Sequence, residues 1–261
     1  MSWETVSYQV EDGVAVVSLN RPEVVNAINE QLGQDLYAAM KQVDADESVK
    51  VAVLTGTGRG FCAGQDLSDA TAVKGELHLA NSVRDRYNPL LAKMNTLRVP
   101  LLAAVNGAAA GAGFGLALAC DVRFASTTAK FTMAFSKIGL VPDSASSYFL
   151  PRLVGLGKAL ELAWTGDVLD AGQALRLGIV NAVYEPDELL PQVMAFAERL
   201  AHGPTVALRL TKELMHENFF ASLPEALERE AAFQEVAGRS HDFREGVQAF
   251  LEKRQPRYRG N

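Results

Sequence analysis

Short runs of β-branched and other apolar residues recur through the first two thirds of the chain and alternate with longer segments. The runs occupy residues 14–19, 49–54, 101–105, 122–125 and 179–183, and a polar segment of helical length occupies about 29–43. Alternation of short apolar runs with helix-length segments is typical of a layered α/β fold built from βαβ units. We therefore predict an α/β protein whose sheet is mostly buried.

The pattern changes near residue 189, after which apolar residues recur at helical spacing and no further strand is indicated. Amphipathic helices are predicted at 189–201, 205–218, 224–236 and 242–253, with breaks at 202–204 and 238–240. We expect two parts, an α/β core of residues 1–188 and a helical C-terminal part of residues 189–261. The apolar faces of these helices serve either the core or an oligomer interface, and the pattern favours neither use.

The composition disfavours several classes of protein. With 261 residues, of which 48% are hydrophobic and 21% charged, the chain is long enough for one large domain with a sizeable core. A formal net charge of −6 disfavours a nucleic-acid binder or a membrane-surface binder, because both need a basic face. The N-terminal residues lack the features of a signal peptide, and no apolar run reaches spanning length. We expect a cytoplasmic protein without a membrane segment.

The cysteines and histidines carry no catalytic or metal-binding pattern. Cys62 and Cys120 lie far apart without the spacing of metal ligands, so neither a disulfide framework nor a metal site is predicted. Cys62 is interpreted as a packed small residue rather than a nucleophile. The histidines lack a Ser or Cys partner pattern and are expected at the surface; they are His78, His202, His216 and His241.

Two glycine-rich segments each follow a predicted strand. Residues 56–67 read GTGRGFCAGQDL and residues 106–113 read NGAAAGAG. Small residues let a ligand approach the backbone, and the helix-compatible run at 114–120 would gather free amides at its N-terminus. Two such amides would suit a developing oxyanion. The alternative is that the small residues only permit tight turns and close helix packing.

Glycines after a strand also suggest a dinucleotide site. However, residues 56–60 lack the G-x-G-x-x-G spacing, and the glycines at 111–115 lie in the middle of the chain rather than in the first βαβ unit. NAD binding is therefore disfavoured.

The segments FCAGQDL at 61–67 and VNGAAAGAG at 105–113 resemble the two oxyanion-hole segments of the crotonase, or enoyl-CoA hydratase/isomerase, family. The resemblance covers nearly the whole chain through further matches at 19–22, 26–28, 151–155, 165–166, 243–246 and 250–254. It implies a crotonase-like spiral of ββα and βαβ units, and homotrimers that often pair into hexamers. It also implies an acyl-CoA substrate that contains the coenzyme A itself, with no separate cofactor.

The resemblance also implies site residues. The backbone amides of Gln65 and Ala112 would bind the thioester oxygen, and the Ala63 carbonyl would meet the adenine of CoA. Further contacts are expected from Gly64, Leu67, Gly111 and Gly113. Three further residues are candidates for substrate or CoA contacts, and each has a structural alternative. Asp66 would otherwise fix the turn, and Tyr87 would otherwise be a core tyrosine. Lys212 is either a partner for a CoA phosphate or a solvated lysine.

The acid–base residues restrict the type of reaction that the site can catalyse. Hydratases of the family use two glutamates, and the matching positions here are Gly115 and Phe135. The remaining carboxylate is Asp143, at a position where dienoyl-CoA and ring-epoxide isomerases of the family carry an aspartate. One base suits isomerisation, because it can take a proton and return it elsewhere while the oxyanion hole carries the enolate. The alternative is an aspartate that caps a helix starting near Ser144.

Further segments resemble the ring-epoxide branch of the family, including residues 87–90, 129–143 and 237–240. That branch implies conversion of the ring 1,2-epoxide of phenylacetyl-CoA to an oxepin thioester in phenylacetate catabolism. The Gly-Gly often seen after the aspartate is replaced by SASS at 144–147. The alternatives are an enoyl-CoA or dienoyl-CoA isomerase or hydratase of fatty-acid oxidation, and a non-catalytic binder of CoA thioesters.

Overall fold

The computed structural model describes residues 3–68 and 79–261, and in this part of the chain two β-sheets form the framework. The strands are β1 (Val6–Glu11), β2 (Val14–Leu19), β3 (Val51–Gly56), β4 (Gly60–Cys62), β5 (Leu101–Val105), β6 (Ala108–Ala110), β7 (Val122–Ser126), β8 (Lys130–Thr132), β9 (Leu169–Asp170) and β10 (Ala182–Tyr184). The larger sheet has the order β1-β2-β3-β5-β7-β10, and the smaller sheet has the order β4-β6-β8-β9.

The two sheets are built by a repeated step. The strands β3, β5 and β7 pair in parallel in the larger sheet, and the strands that directly follow them, β4, β6 and β8, pair in parallel in the smaller sheet. Each repeat therefore places its two strands in two layers before a helix returns the chain. This is the spiral of ββα units that the resemblance implies. Every residue of β5 is buried, as its continuous apolar sequence predicts.

The helices of the described residues are α1 (Glu30–Ala45), α2 (Leu79–Ser82), α3 (Asn88–Asn95), α4 (Ala112–Leu118), α5 (Ser146–Val154), α6 (Leu156–Thr165), α7 (Ala171–Arg176), α8 (Pro186–Ala201), α9 (Thr205–Asn218), α10 (Leu223–Gly238) and α11 (His241–Glu252). A π-helical turn, Val83–Tyr87, joins α2 to α3, and a 3-10 helix, Ala134–Ile138, follows β8. In α1 the Asn29 side chain accepts a hydrogen bond from the Leu32 amide at 2.9 Å, which caps the helix. None of the described helices is long and apolar enough to cross a membrane.

The C-terminal helices occupy the predicted positions, but the first of them belongs to the core. Helix α8 begins at Pro186, so a boundary between residues 188 and 189 would fall inside it. Its buried residues Leu189, Val193 and Ala197 form one apolar cluster with the larger sheet. Helices α9 to α11 contribute no residue to this cluster, and α10 buries none of its residues in the single chain. A boundary between residues 188 and 189 therefore divides α8, a helix that packs against the larger sheet.

Candidate active site

A cavity of about 590 Å³ opens between the two glycine-rich turns, the π-helical turn and the 3-10 helix. Its wall brings together most of the residues that the sequence predicted for the site. These are Ala63, Gly64, Gln65, Leu67, Tyr87, Gly111, Ala112 and Asp143. Since they come from four separate segments of the chain, the fold brings the predicted site residues together.

Among the described residues, the amide of Gln65 in the first turn has no hydrogen-bond partner. The Ile28 amide donates to the Gly64 carbonyl at 2.7 Å, and the Asp66 amide donates to the Ile28 carbonyl at 2.9 Å. Ile28 and Gln65 form a parallel bridge, in which Ile28 bonds to Gly64 and Asp66, the two neighbours of Gln65. The N–H and C=O of Gln65 take no part in this bridge. The amide of Gln65 therefore points away from Ile28 and can bind a ligand.

The second turn supplies the other amide. Ala112 is the first residue of α4, and amides in the first turn of a helix have no partner within the helix. The preceding amide, that of Gly111, is taken by the Thr132 carbonyl at 3.0 Å. The free N–H groups and the helix dipole favour negative charge at this end of α4. Ala112 thus offers a second backbone donor at the cavity wall.

Gly64 brings the two turns together. Its φ is +92°, which L side chains rarely adopt. A Cβ at this position would lie 2.7 Å from the Ala110 carbonyl oxygen and 3.5 Å from the Ala112 nitrogen. The absence of a side chain therefore lets the chain before Gln65 pass directly beside the start of α4. This contact explains physically why the first turn has glycine here.

Asp143 stands on the cavity wall, and its half-buried carboxylate accepts a hydrogen bond from the Ser144 hydroxyl at 2.8 Å. Burial raises the pKa of the Asp143 carboxyl, and the Ser144 hydrogen bond lowers it in part. Helix α5 begins at Ser146 and has Ala145 at its N-cap, without a side-chain cap. The alternative of Asp143 as a helix cap is therefore wrong.

Tyr87 connects the first turn to the acidic side of the cavity. Its side chain is buried, and its hydroxyl donates to Oε1 of Gln65. Burial raises the pKa of the Tyr87 phenol, and the negative charge of Asp143 raises it further. The phenol is therefore protonated at neutral pH and acts as a donor. The structure places Tyr87 both in the core and on the cavity wall, so the two alternatives for this residue were not exclusive.

The positions that match the two glutamates of hydratases have no acid–base group. Phe135 lines the cavity as an apolar side chain. Gly115 lies inside α4, where a Cβ would stand 2.5 Å from the Ser144 carbonyl oxygen. The turn after Asp143 thus fills the space that a side chain at position 115 would need. Among the described residues that line the cavity, Asp143 is the single carboxylate.

Two predicted contacts lie away from the cavity wall. Asp66 accepts from the Ser68 hydroxyl at 2.6 Å and forms an ion pair with Arg21 at 2.9 Å. The Ser68 hydrogen bond, together with Arg21, lowers the pKa of the Asp66 carboxyl. At Gly113 a Cβ would lie 2.2 Å from the Cys62 carbonyl oxygen, so this glycine serves close packing. The turn-fixing alternative describes Asp66 in this structure.

Lys212 is neither solvated nor at the cavity. Its ammonium group forms an ion pair with Asp121 at 2.8 Å and donates to the Val99 carbonyl at 3.1 Å. The lysine side chain is only 9% exposed. In the single chain it therefore joins α9 to the edge of the core, and both expectations for Lys212 miss this role.

Two cations on the cavity wall, Arg86 and Lys137, were missed by the sequence interpretation. No motif marks them, because they reach the cavity through the π-helical turn and the 3-10 helix.

The packed position of Cys62 is confirmed: the thiol is fully buried, and burial raises its pKa to about 12. Among the described residues, no group of His, Cys, Asp and Glu could hold a metal ion. His78 lies outside the described residues.

The spiral of two sheets defines a crotonase-fold protein. The chain belongs to the enoyl-CoA hydratase/isomerase family, whose profile matches residues 9–261. A probable enoyl-CoA hydratase of Rhodobacter capsulatus is 43% identical over 260 residues, with 100% of each chain covered. The 1,2-epoxyphenylacetyl-CoA isomerase of Escherichia coli is 42% identical over 259 residues, covering 98% of this chain and 99% of its own length.

Solved structures agree with this assignment. The crystal structure of a candidate enoyl-CoA hydratase/isomerase from Mycobacterium abscessus has a TM-score of 0.95 and 40% identity, covering 98% of this chain and 100% of that chain. Family and fold, both expected from the resemblance, are therefore confirmed. Enzymes of this family act on acyl-CoA thioesters.

Proposed function

We propose that this protein is an acyl-CoA isomerase in which Asp143 is the single base and the amides of Gln65 and Ala112 form the oxyanion hole. The proposal rests on one observation. Asp143 is the single carboxylate among the described residues of the cavity wall, which the two free amides share. A binding protein without catalysis has no need to bury an ionisable carboxyl beside a thioester site, since burial disfavours its charge.

In this proposal the thioester oxygen lies between the amides of Gln65 and Ala112. Asp143 takes a proton from the carbon next to the thioester carbonyl, and the two amides stabilise the enolate oxygen. The same carboxyl then returns the proton to another carbon of the acyl group. Substrate and product have the same composition, so the reaction needs no redox cofactor, and CoA takes part only as a portion of the substrate.

As substrate we propose ring 1,2-epoxyphenylacetyl-CoA, with an oxepin thioester as product in phenylacetate catabolism. In this reaction the bond between the two epoxide carbons breaks, which expands the six-membered ring to the seven-membered oxepin, and the proton that Asp143 removes next to the thioester is returned to a ring carbon. The support is the name of the Escherichia coli relative at 42% identity together with the aspartate at position 143. The apolar wall near the base, which includes Phe135, Leu140 and Val141, suits an aromatic acyl group. The adenine contact of the Ala63 carbonyl is part of the same proposal.

Hydration of an enoyl thioester is the second candidate, because the Rhodobacter capsulatus relative is named as a hydratase. A panel of thioesters separates the two. The protein is incubated with ring 1,2-epoxyphenylacetyl-CoA, a 3-enoyl-CoA, a dienoyl-CoA and crotonyl-CoA, and products are followed by mass and ultraviolet spectrum. An isomerase yields products of unchanged mass, whereas hydration adds one water. Addition of water to crotonyl-CoA without any isomerisation would contradict the proposal.

We further propose a homotrimer or a dimer of trimers. In the single chain the last helices expose large apolar side chains, such as Phe219, Phe250 and Leu251, which are 62%, 83% and 74% exposed. Such surfaces on a monomer are unusual unless a partner covers them. Light scattering at micromolar concentration should give a mass three or six times that of the chain, and a monomer would contradict this proposal.

A further inference from the structure

The two residues after Asp143 have left-handed backbone. Ser144 has φ +50° and Ala145 has φ +58°, and the Ser146 amide donates to the Asp143 carbonyl at 2.9 Å. Two successive positive φ angles with this hydrogen bond are the marks of a type I′ turn. Glycine, asparagine and aspartate dominate such turns, because a Cβ strains the left-handed conformation. Serine and alanine are therefore unexpected at these positions.

Ser144 is held in this turn by helix α4. Its side chain and backbone are buried, with 2% exposure. It packs against Gly115, where an added Cβ would stand 2.9 Å from the Ser144 Cβ and 2.5 Å from the Ser144 carbonyl oxygen. Helix α4 begins with Ala112, whose amide belongs to the proposed oxyanion hole. The Ser144 hydroxyl therefore has a defined position relative to the site.

The hydroxyl uses this position to contact the proposed base. Ser144 Oγ donates to Oδ1 of Asp143 at 2.8 Å. In the part of the chain that the structure describes, Oδ2 has no hydrogen-bond partner and remains available to a substrate. A donor on one oxygen stabilises the ionised carboxylate and restricts its rotation. Neither effect is needed to build the turn, for which glycine would be the better residue.

We propose that Ser144 is a positioning residue, whose hydroxyl orients the Asp143 carboxylate toward the cavity and keeps it ionised. This inference rests on the proposed role of Asp143 as the base. It assigns a function to a position where the sequence departs from the glycines often found in the family.

Three serine variants test the inference. Ser144→Ala and Ser144→Gly both remove the donor, and only Ser144→Gly also relieves the strained backbone. Ser146→Ala is the matched control, because Ser146 is buried beside the same Gly115 but its hydroxyl has no hydrogen-bond partner among the described residues. The charged and titratable neighbours on the cavity wall, Arg86, Tyr87 and Lys137, remain the same in every variant.

The first measurement needs no activity. Carbon-13 NMR of the full-length protein labelled at aspartate carboxyls follows the Asp143 titration, which the Asp143→Asn spectrum identifies. Both Ser144 variants should titrate at higher pH than the parent, and Ser146→Ala should titrate with the parent. Ser144→Gly should also melt at a higher temperature than Ser144→Ala. An unshifted Asp143 titration in the Ser144 variants would overturn the inference.

The second measurement is the pH dependence of turnover. The ionised carboxylate is the active base, so the acid limb should move to higher pH in both Ser144 variants, with kcat lower by on the order of tenfold. KM should change less than kcat. An unmoved acid limb would also overturn the inference. A different result would overturn the proposed function itself. If Asp143 is not the base, Asp143→Asn retains full activity, whether or not the Asp143 titration shifts in the Ser144 variants.

Discussion

A Cβ on Gly64 would lie 3.5 Å from the backbone nitrogen of Ala112, so the two glycine-rich turns touch where their free amides are placed. Gly64 and Ala112 are 48 positions apart in the chain, and the smaller sheet brings them together. In that sheet β4 pairs with β6, and each of these strands leads directly into one turn. The geometry of the proposed oxyanion hole therefore depends on packing at Gly64 as much as on the amides themselves.

Gly64→Ala should disturb both turns. The alanine would have to adopt φ +92° and place its Cβ 2.7 Å from the Ala110 carbonyl oxygen. We expect a loss of roughly 2 to 4 kcal/mol in the free energy of unfolding and a strong loss of turnover. Denaturant unfolding measures the first effect. Gly157→Ala in α6 is the control, since no atom lies within 4 Å of its added Cβ and alanine favours helix. Equal stability of the two variants would contradict the role given to Gly64.

Ala112→Pro should remove one donor while keeping the fold. Ala112 is the first residue of α4, a position where proline is tolerated because its missing N–H has no partner within the helix. We expect kcat to fall roughly 100- to 1000-fold, the usual effect of losing one oxyanion donor. Ala112→Gly, which retains the N–H, should keep most of the activity. Circular dichroism must match the parent, and full turnover in a folded proline variant would remove Ala112 from the hole.

Gly115→Glu should not create a hydratase, although it restores a glutamate at the matching position. The Cβ alone would meet the Ser144 carbonyl oxygen at 2.5 Å, so the turn that carries Asp143 would have to move. We expect a less stable protein with lower isomerase activity and no gain in hydration of crotonyl-CoA. Gly157→Glu, another glutamate in place of a helical glycine, should remain close to the parent in both assays. Gain of hydration with normal stability would show that the space beside Ser144 is not limiting.

Asp143→Asn should fold normally and lose isomerisation by two or more orders of magnitude, because the amide cannot accept the proton. Exchange of the protons next to the thioester carbonyl with deuterated solvent provides an assay that does not depend on the final product. Undiminished exchange in the variant would exclude Asp143 as the base. A bound water molecule would then be the candidate base.

The stability of Asp143→Asn should depend on pH with a defined sign. Burial raises the pKa of Asp143 in the folded state, so its contribution is favourable below the unfolded pKa and is lost as pH rises through the folded pKa. At neutral pH the variant should therefore melt at or above the parent temperature, and the gap should narrow on acidification.

Asp66→Asn is the control of opposite sign. Its pKa is lowered in the folded state, so its stabilisation is present above the unfolded pKa and lost as pH falls through the folded pKa. This variant should melt below the parent at neutral pH, again with a narrowing gap in acid. Parallel shifts of the two variants in the same direction would contradict the environments assigned to the two carboxyls.

The pattern of apolar residues by itself determined the main elements of this protein. The runs at 14–19 and 101–105 coincide with β2 and β5, and the predicted C-terminal helices match α8 to α11 within a few residues. Burial on one face of an element imposes a period that can be counted along the chain, and burial on both faces of a central strand gives a short continuous apolar run. The sequence pattern did not predict the edge strand β1. It also missed all four strands of the smaller sheet, because each has three residues or fewer and is too short to show a period.

Only the tertiary structure decided which polar groups meet. The sequence motifs marked Gln65, Ala112 and Asp143, but not the contact of Tyr87 with Gln65 or of Ser144 with Gly115. It also left Lys212 as a candidate for a CoA phosphate, whereas the structure pairs it with Asp121. Such pairings join residues that are 22 to 91 positions apart in the chain. They depend on how separate layers pack against each other, and local periodicity reports only which face of each element is buried.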